Sequence, residues 1–258
     1  MMLIVEENKE YGRIIGSVDA PYINHLAQSY GLATNWFAVT HPSLPDYLAL
    51  TSGSTQGVLD DGTSYLFNAN NLANELAGAG YTWKAYMEDM PTPCFGGGSF
   101  AEYAKKHNPF MYYSDITGNP AQCNRVVPFT QLAGDLAGNT VPDFAWITPN
   151  LIDDMHDGTV AQGDAWLAAT LPAVLASPWY RSGGIIVITW DEGGTNLGVN
   201  GAAGGGHIAT IVVSANSHGQ FSGAGNLYGT LRAIEETYGI GLMGSSASTA
   251  GGDLRGLF

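Results

Sequence analysis

The sequence predicts an α/β protein, a three-layer sandwich with helices around a central, largely parallel sheet. Strand and helix signals alternate along the chain, which is typical of parallel strands joined by helices. The clearest strand is 185–190, an unbroken run of apolar and β-branched residues of the kind found in buried strands. The chain has 258 residues, of which 45% are hydrophobic, so it can bury a full core and is not disordered.

The element boundaries come from proline, asparagine and glycine. Pro21 stands in the first turn of a helix that Gly31 ends, Asn71 caps a helix of small residues, and Gly53 ends a helix that follows a Pro-rich turn. In chain order we predict the strand 3–5, helix 21–30, strand 36–39, helix 46–51, helix 71–79, strand 81–87, strand 144–148, amphipathic helix 164–176, strand 185–190, strand 208–213 and helix 227–238.

No linker-like stretch divides the chain, so we expect one domain over residues 1–258. The segment 91–128 is irregular and is expected to form an excursion over the sheet, tied by a disulfide between Cys94 and Cys123. Such a bond closes a loop of about thirty residues and stabilises by roughly 3–4 kcal/mol. It would indicate an exported protein, secreted or periplasmic. The alternative is two unrelated thiols in a cytosolic protein.

The charge of the chain excludes several partners. The formal net charge is −14, with nine Lys and Arg residues in total. A nucleic-acid backbone requires clustered basic residues, and an anionic membrane surface is equally unfavourable, so we expect neither nucleic acid nor stable membrane association. No apolar run approaches the length of a membrane span. If the ligand is a phosphate, a metal ion and helix N-termini must supply most of the positive field.

Polar clusters stand at the predicted ends or starts of strands. They are Glu7-Asn8, Asp191-Glu192, His207 and, after a short loop, 153–157. Adjacent carboxylates at the end of a buried strand cannot belong to the core, because unpaired buried charge is too costly, and ligands bind at this edge of open α/β sheets. Oxygen ligands with an occasional His suit Ca²⁺, Mg²⁺, Mn²⁺ or Zn²⁺. The alternative is a solvated turn after the strand.

Ser43 lies between Pro42 and Pro45, just ahead of a predicted helix. It has two interpretations. It is either an ordinary N-cap, worth roughly 1 kcal/mol, or a nucleophile whose alkoxide and attached phosphate the helix N-terminus and a metal ion stabilise.

The motifs together resemble the bacterial phosphoesterase family, which groups acid phosphatases with phospholipases C in the alkaline-phosphatase-like superfamily. The resemblance covers nearly the whole chain. The matching stretches, in order, are Val5-Glu6-Glu7-Asn8, Ala20-Pro21-Tyr22-Ile23-Asn24, His41-Pro42-Ser43-Leu44-Pro45-Asp46-Tyr47 through Gly53, Lys106-His107-Asn108-Pro109-Phe110, Pro149-Asn150 through His156-Asp157, Gly163-Asp164-Ala165-Trp166-Leu167 and Thr189-Trp190-Asp191-Glu192-Gly193-Gly194.

The resemblance implies an alkaline-phosphatase-like fold and phosphoryl transfer through a phosphoserine on Ser43. It implies one divalent metal ion, with Ser43 touching that ion as the attacking alkoxide. His156 and His207 would bind phosphoryl oxygens or protonate the leaving group. For His107, a place in the phosphate pocket and a purely structural role both stay open. The expected metal ligands are Glu7, Asn8, Ser43, Asp191 and Glu192, and the expected substrate-binding residues are Asp46, His107, Asn150 and Asp154.

Asp46 departs from the family motif, which usually has Asn at this position. An amide can donate a hydrogen bond to a phosphate oxygen, whereas an ionised carboxylate cannot. We therefore expect Asp46 either to join the metal shell or to be protonated during turnover, with an acidic rate optimum.

The predicted function is hydrolysis of small phosphate monoesters, of the acid phosphatase type. One alternative is a phospholipase C-type phosphodiesterase, which the acidic composition disfavours. Another is a non-catalytic, Ca²⁺-dependent binding module that keeps the carboxylates without the chemistry. A third is a structural protein on which the acids and histidines are scattered over the surface.

Overall fold

A nine-stranded sheet forms the centre of the protein. The computed structural model describes residues 1–258. The strands, in chain order, are β1 Met2–Glu6, β2 Gly31–Phe37, β3 Trp83–Met87, β4 Ser99–Phe100, β5 Tyr103–Ala104, β6 Val126–Pro128, β7 Phe144–Thr148, β8 Ile186–Trp190, β9 His207–Val213, β10 Gly219–Phe221 and β11 Gly225–Asn226. The sheet order is β10-β2-β9-β8-β1-β7-β3-β6, with β11 beside β2, while β4 and β5 form a separate hairpin. Only β9 runs antiparallel to its neighbours in the sheet.

Helices cover both faces of this sheet. On one side α2 packs against α8, and on the other α3 packs against α10. The predicted sandwich with a largely parallel sheet is therefore confirmed. The helices are α1 Tyr11–Ile14, α2 Pro21–Ser29, α3 Ser43–Ser52, α4 Leu72–Gly78, α5 Ser114–Thr117, α6 Pro120–Cys123, α7 Gln131–Gly138, α8 Val160–Leu175, α9 Pro178–Arg181 and α10 Leu227–Tyr238.

Three predicted boundaries are wrong by three residues or more, and one of them is the start of α3, at Ser43 rather than at residue 46. Strand β2 begins at Gly31 rather than at residue 36, because Gly31 to Ala33 pair with β9 before an irregularity in the register. Helix α8 begins at Val160 rather than at residue 164, because Thr159 and Gln162 form a capping box.

The predicted disulfide is present. Cys94 and Cys123 are bonded, with Cα atoms 4.9 Å apart. Most of the segment 91–128 consists of short turns and one-turn helices. It also contains the hairpin of β4 and β5, and its last three residues, Val126–Pro128, form the edge strand β6 beside β3. An edge strand tolerates Pro128, whose missing N–H faces no partner.

Strand β1 positions the candidate site. It lies between β7 and β8, parallel to both, so residues that follow β1, β7 and β8 meet at one edge of the sheet. Strand β2 also ends at this edge, since β2 and β8 both run antiparallel to β9, and the chain then enters α3 through the cis peptide bond His41–Pro42. No helix of this protein is both long enough and apolar enough to span a bilayer.

Candidate active site

Glu7 is the centre of the candidate site. It follows β1 directly and is fully buried. Tyr47 donates its phenol hydrogen to Oε1 over 2.6 Å, and Ser43 donates its hydroxyl hydrogen to Oε2 over 3.0 Å. Ser43 and Tyr47 lie one turn apart on α3, so they share a face of that helix. The end of β1 and the beginning of α3 are thereby joined through one carboxylate.

Ser43 is the first residue of α3, and its hydroxyl makes no capping hydrogen bond. The N-cap is Pro42, so the interpretation of Ser43 as an N-cap is wrong. Its Oγ lies 3.0 Å from Glu7 Oε2 and 3.4 Å from Glu192 Oε1. A buried hydroxyl held between two carboxylates is oriented by them rather than by its own helix.

Asp191 and Glu192 follow β8, beside Glu7. The Asn8 backbone N–H donates to Asp191 Oδ1 over 3.0 Å, while Oδ2 is buried without a hydrogen-bond partner. Burial, followed by the charge of Glu192, raises the pKa of Asp191 to about 6. The side chain of Asp191 is fully buried, so the alternative of a solvated turn is wrong for this residue.

The site has the chemistry of a metal centre. Asn8 has a left-handed backbone conformation, with φ of 53°, and its Oδ1 is also buried without a partner. Buried polar atoms without partners are rare and require an explanation. A hard divalent cation binds such oxygens together with the carboxylates of Glu7, Asp191 and Glu192. The residues therefore fit the cation that the family resemblance implies.

Two histidines from elsewhere in the chain lie beside Glu7. Single ligand atoms of Glu7, His107 and His156 lie within 4.8 Å of one another. His107 is buried against the ring of Tyr47, and its Nδ1 lies 3.1 Å from Asp154 Oδ2. Burial, followed by the charge of Lys106, lowers the pKa of His107 to about 3. His107 is therefore neutral and lies between Asp154 and Glu7, whose Oε1 is 3.2 Å from Nε2.

Asp154 ties His107 and His156 together. Its Oδ1 accepts the backbone N–H of His156 over 2.7 Å, and its Oδ2 contacts His107. Burial raises the pKa of Asp154 to about 8. His156 in turn contacts Asp157 through Nδ1 over 2.7 Å and Lys106 Nζ through Nε2 over 3.0 Å.

His41 belongs to the site and was missed as a functional residue, although it lies in a quoted motif. Its Nδ1 bonds to Glu192 Oε2, and its Nε2 lies 2.9 Å from the carbonyl oxygen of Thr195. Burial alone would lower the pKa of His41, but the Thr195 carbonyl and Glu192 outweigh that effect and raise it. Its position two residues before Ser43 was the available signal.

Lys106 and Asp61 also complete the site without having been predicted there. Lys106 Nζ donates to Asp61 Oδ2 over 3.1 Å, and the backbone N–H of Leu44 donates to Asp61 Oδ1 over 3.0 Å. Lys106 stood in a quoted motif, next to His107. The sequence around Asp61 carried no comparable signal.

The structure does not bring His207 into contact with Ser43. Its ring stacks on Tyr11 with centroids 4.3 Å apart, and its Nε2 lies 3.1 Å from the carbonyl oxygen of Thr34. Its backbone N–H donates to Glu10. These contacts give His207 a structural environment and lend no support to the catalytic role expected for it.

Asn150 is also absent from the contacts around Ser43. Its side-chain Oδ1 accepts the backbone N–H groups of Ile152 and Asp153, and its Nδ2 donates to Asp89 over 3.1 Å. It therefore organises the turn after β7 rather than the group at Glu7. A role in substrate binding gains no support from these contacts.

Asp46 lies on α3 and holds the preceding loop. Its Oδ1 accepts the backbone N–H groups of Val39 and Thr40 over 2.8 and 3.2 Å, and its Oδ2 is buried without a partner. Burial, followed by the charge of Asp191, raises the pKa of Asp46 well above its usual value. Its role in substrate binding stays a prediction.

Comparison with known proteins identifies relatives along most of the chain. A model of the Phosphoesterase family matches residues 16–240. The chain is 34% identical over 247 residues to a phosphatidylinositol-3-phosphatase of Mycobacterium tuberculosis, covering 93% of this chain and 77% of that protein. It is 33% identical over 178 residues to an acid phosphatase of Aspergillus fumigatus, covering 66% of this chain and 40% of that protein. The chain thus spans less than half the length of that fungal relative.

Solved structures show the same fold. A protein in the alkaline phosphatase superfamily from Vibrio parahaemolyticus superposes with a TM-score of 0.63 at 13% identity, covering 96% of this chain and 69% of that one. A phosphonate monoester hydrolase of Agrobacterium radiobacter gives a TM-score of 0.60 at 14% identity, covering 98% and 77%. The predicted alkaline-phosphatase-like architecture is confirmed.

Proposed function

The chain belongs to the phosphoesterase family and is a phosphoric ester hydrolase, and we propose that it hydrolyses phosphate monoesters through a phosphoserine formed on Ser43. The position of one hydroxyl supports this most strongly. Ser43 Oγ lies within 3.4 Å of carboxylates that follow two neighbouring strands. A purely structural serine on α3 would not need two buried acids around it.

Ser43 Oγ attacks phosphorus in line with the bond to the leaving oxygen. Its proton passes to one of the two carboxylates that accept its hydrogen bond, Glu7 or Glu192. As the ester bond breaks, the leaving oxygen takes a proton from His156. Water then gives a proton to His156 and attacks the phosphoserine, inorganic phosphate leaves, and Ser43 takes its proton back from the carboxylate.

The cofactor in this proposal is one divalent cation held by Glu7, Asn8, Asp191 and Glu192. When bound, it supplies positive charge that favours the Ser43 alkoxide and the phosphoryl oxygens. The chain's own part is to fix those oxygens in place. Tyr47 donates to Glu7, the Asn8 N–H donates to Asp191, and His41 contacts Glu192.

The names of the relatives favour a monoester over a diester. Both the mycobacterial phosphatidylinositol-3-phosphatase and the fungal acid phosphatase bear names of enzymes that remove a terminal phosphate. The net charge of −14 opposes lasting contact with an anionic membrane surface, so the proposed substrate is a small phosphorylated molecule. The disulfide supports an exported, secreted or periplasmic location.

Activity on two matched substrates tests the proposal. Purified protein should cleave p-nitrophenyl phosphate faster than bis-p-nitrophenyl phosphate. Chelation should abolish that activity, and the metal found by elemental analysis should restore it. Faster cleavage of the diester would indicate the phospholipase C alternative. Cation binding without turnover of either substrate would indicate a binding module.

Acid quenching during turnover tests the intermediate. Digestion should then yield a phosphorylated peptide containing Ser43. The control is Ser52→Ala, on the same helix, whose hydroxyl bonds to the carbonyl oxygens of Leu48 and Ser54. This variant should give the same phosphopeptide, and a phosphopeptide from any other serine would contradict the proposed nucleophile.

A further inference from the structure

The contacts of Asp61 point to a further role at this site. Asp61 lies on the irregular segment between α3 and α4. One of its carboxylate oxygens accepts the backbone N–H of Leu44 over 3.0 Å, and the other accepts from Lys106 over 3.1 Å. The carboxylate therefore bridges the residue after the candidate nucleophile and the ammonium beside His156.

The Leu44 N–H is one of the groups in the first turn of α3 that have no acceptor within the helix itself. A helix of ten residues presents partial positive charge there, and phosphoryl groups bind at such ends through backbone N–H groups. Because Leu44 follows Ser43 directly, its N–H lies beside the atom that would carry the phosphoryl group. The Asp61 carboxylate already accepts a hydrogen bond from this N–H.

Lys106 is the second donor in the same place. Its Nζ contacts both Asp61 and His156. Burial alone would lower the pKa of Lys106, but the charge of Asp61 outweighs that effect and raises it. The ammonium is therefore charged, and the carboxylate of Asp61 is its anionic partner.

His107 lies between the Lys106 group and Glu7. Its buried Nε2 lies 3.2 Å from Oε1 of Glu7. A ring nitrogen of His107 lies within 4.8 Å of one of His156, which contacts Lys106. These histidines therefore place Lys106 beside Glu7, the carboxylate that accepts a hydrogen bond from Ser43.

We propose that Lys106 and the Leu44 N–H bind two oxygens of the substrate's phosphoryl group, and that the Asp61 carboxylate holds this position until the phosphoryl group replaces it. This inference rests on the proposed function, since it concerns the same reaction. The side chain of Asp61 is 28% exposed, so it can turn toward solvent without rearranging the core. A phosphoryl group carries more negative charge than one carboxylate and competes for the same donors.

Because the phosphoryl group must replace the Asp61 carboxylate, Asp61 competes with phosphate and weakens its binding. Asp61→Asn removes the competing charge and keeps an acceptor for the Leu44 N–H. The inhibition constant of inorganic phosphate should fall at least about fivefold, since an anion within a few ångströms of the bound phosphate is removed. KM for p-nitrophenyl phosphate should fall in parallel. Lys106→Met, which removes a donor, should raise both constants.

Asp60→Asn is the matched control. It changes the same charge one residue earlier, where Asp60 Oδ1 bonds to the Gly62 N–H and the Tyr65 hydroxyl. All variants are compared at one ionic strength, because exposed charges are screened by salt. Asp60→Asn should leave the phosphate constant unchanged, which separates a local effect from a change in net charge.

Isothermal titration calorimetry with inorganic phosphate keeps the test independent of turnover. Tighter phosphate binding in Asp61→Asn than in both the wild type and Asp60→Asn supports the exchange. An unchanged or weaker constant overturns it, including the case in which Asp61→Asn only lowers the melting temperature, because Asp61 would then be a structural cap. A wild type that binds phosphate but hydrolyses no ester would contradict the proposed function while leaving this inference testable.

Discussion

Glu235 and Asp191 are both fully buried carboxylates, but their surroundings differ. Both oxygens of Glu235 are hydrogen-bonded, one to the Met243 N–H over 2.9 Å and the other to the Ser246 hydroxyl over 2.5 Å. Asp191 has one oxygen on the Asn8 N–H, whereas the other lacks any partner. Glu235 lies on α10 and fixes the chain that follows that helix.

The difference separates a structural acid, Glu235, from an acid that we propose as a cation ligand, Asp191. Burial raises the pKa of Glu235 to about 7 and that of Asp191 to about 6, so neither burial nor the pKa shift distinguishes them. What distinguishes them is whether the protein itself satisfies the oxygens. A buried acceptor without a partner costs about 1–3 kcal/mol, a cost that a bound cation removes.

The largest expected effect distinguishes Ser43, in the candidate site, from Ser246, which bonds to Glu235. Ser43→Ala removes the proposed nucleophile, and kcat should fall at least about 10³-fold because no group replaces it. Ser246→Ala should leave kcat within about twofold while lowering the free energy of unfolding by about 1–3 kcal/mol, since it strips a buried acceptor of its donor. Initial rates and urea unfolding measure both. Equal loss of kcat in the two variants would remove the distinction.

The next effect concerns the acids themselves. Asp191→Asn should lower kcat/KM by about 10²-fold, the scale seen when the shell of a metal site is disturbed, and should weaken cation binding. In the wild type, cation at a hundred times its dissociation constant should add about 2.7 kcal/mol of stability. Glu235→Gln should keep this gain, as measured by melting curves with cation and with EDTA. A gain that survives in Asp191→Asn would place the cation elsewhere.

Much of this site follows from local sequence patterns. Apolar runs ending in acids identified β1 and β8, and parallel strands bring such ends to one edge, so Glu7 and Asp191 were found together. His207 was expected with them because it opens a predicted strand, and it lies at the same edge only because β9 is antiparallel, which the sequence did not predict. Which way its imidazole points depends on packing against Tyr11 and Phe37, and no local pattern encodes that.

The remaining differences have similar causes. Gly31 and Ala33 carry weak strand signals, and only pairing with β9 makes them a strand. Asp61 reaches α3 from a loop, whose path depends on the whole fold. By contrast, the early start of α8 was readable, because Thr159 and Gln162 have the spacing of a capping box.

A smaller effect should appear in the pH dependence of stability. The pKa values of Asp191, Glu88 and Asp154 are raised to about 6, 7 and 8 by burial. Between pH 5 and 7 the folded, metal-free protein therefore holds more protons than the unfolded chain, and its stability should fall as pH rises. His107, His207 and the Met1 amino group, whose pKa values burial lowers, oppose this trend, but the acids with raised pKa values outnumber them.

Urea unfolding of metal-stripped protein measures this trend. Stability should be lower at pH 7 than at pH 5, and saturating cation should restore more of it at pH 7, where the carboxyl groups are charged. Stability that rises over this range without metal would contradict the assignment of these acids as protonated, buried groups.

The smallest effect is expected at Asp46, whose surroundings combine features of those around Glu235 and Asp191. One oxygen accepts from the Val39 and Thr40 N–H groups, as in Glu235, and the other has no partner, as in Asp191. Burial raises its pKa well above the usual value, which favours the protonated carboxyl. In Asp46→Asn an N–H takes the place of that O–H, so the maximal rate should stay within about threefold, as for a near-isosteric exchange.

The pH profile of Asp46→Asn decides whether that proton matters for turnover. The wild type should lose activity as rising pH removes the proton, whereas the amide cannot be deprotonated, so the rate optimum of the variant should extend to higher pH. Asp46→Ala is the control: it leaves two N–H groups without their acceptor and should lose about 1–3 kcal/mol of stability. If Asp46→Asn keeps the optimum of the wild type, Asp46 only holds the loop before α3. It would then belong with Glu235, among the structural acids.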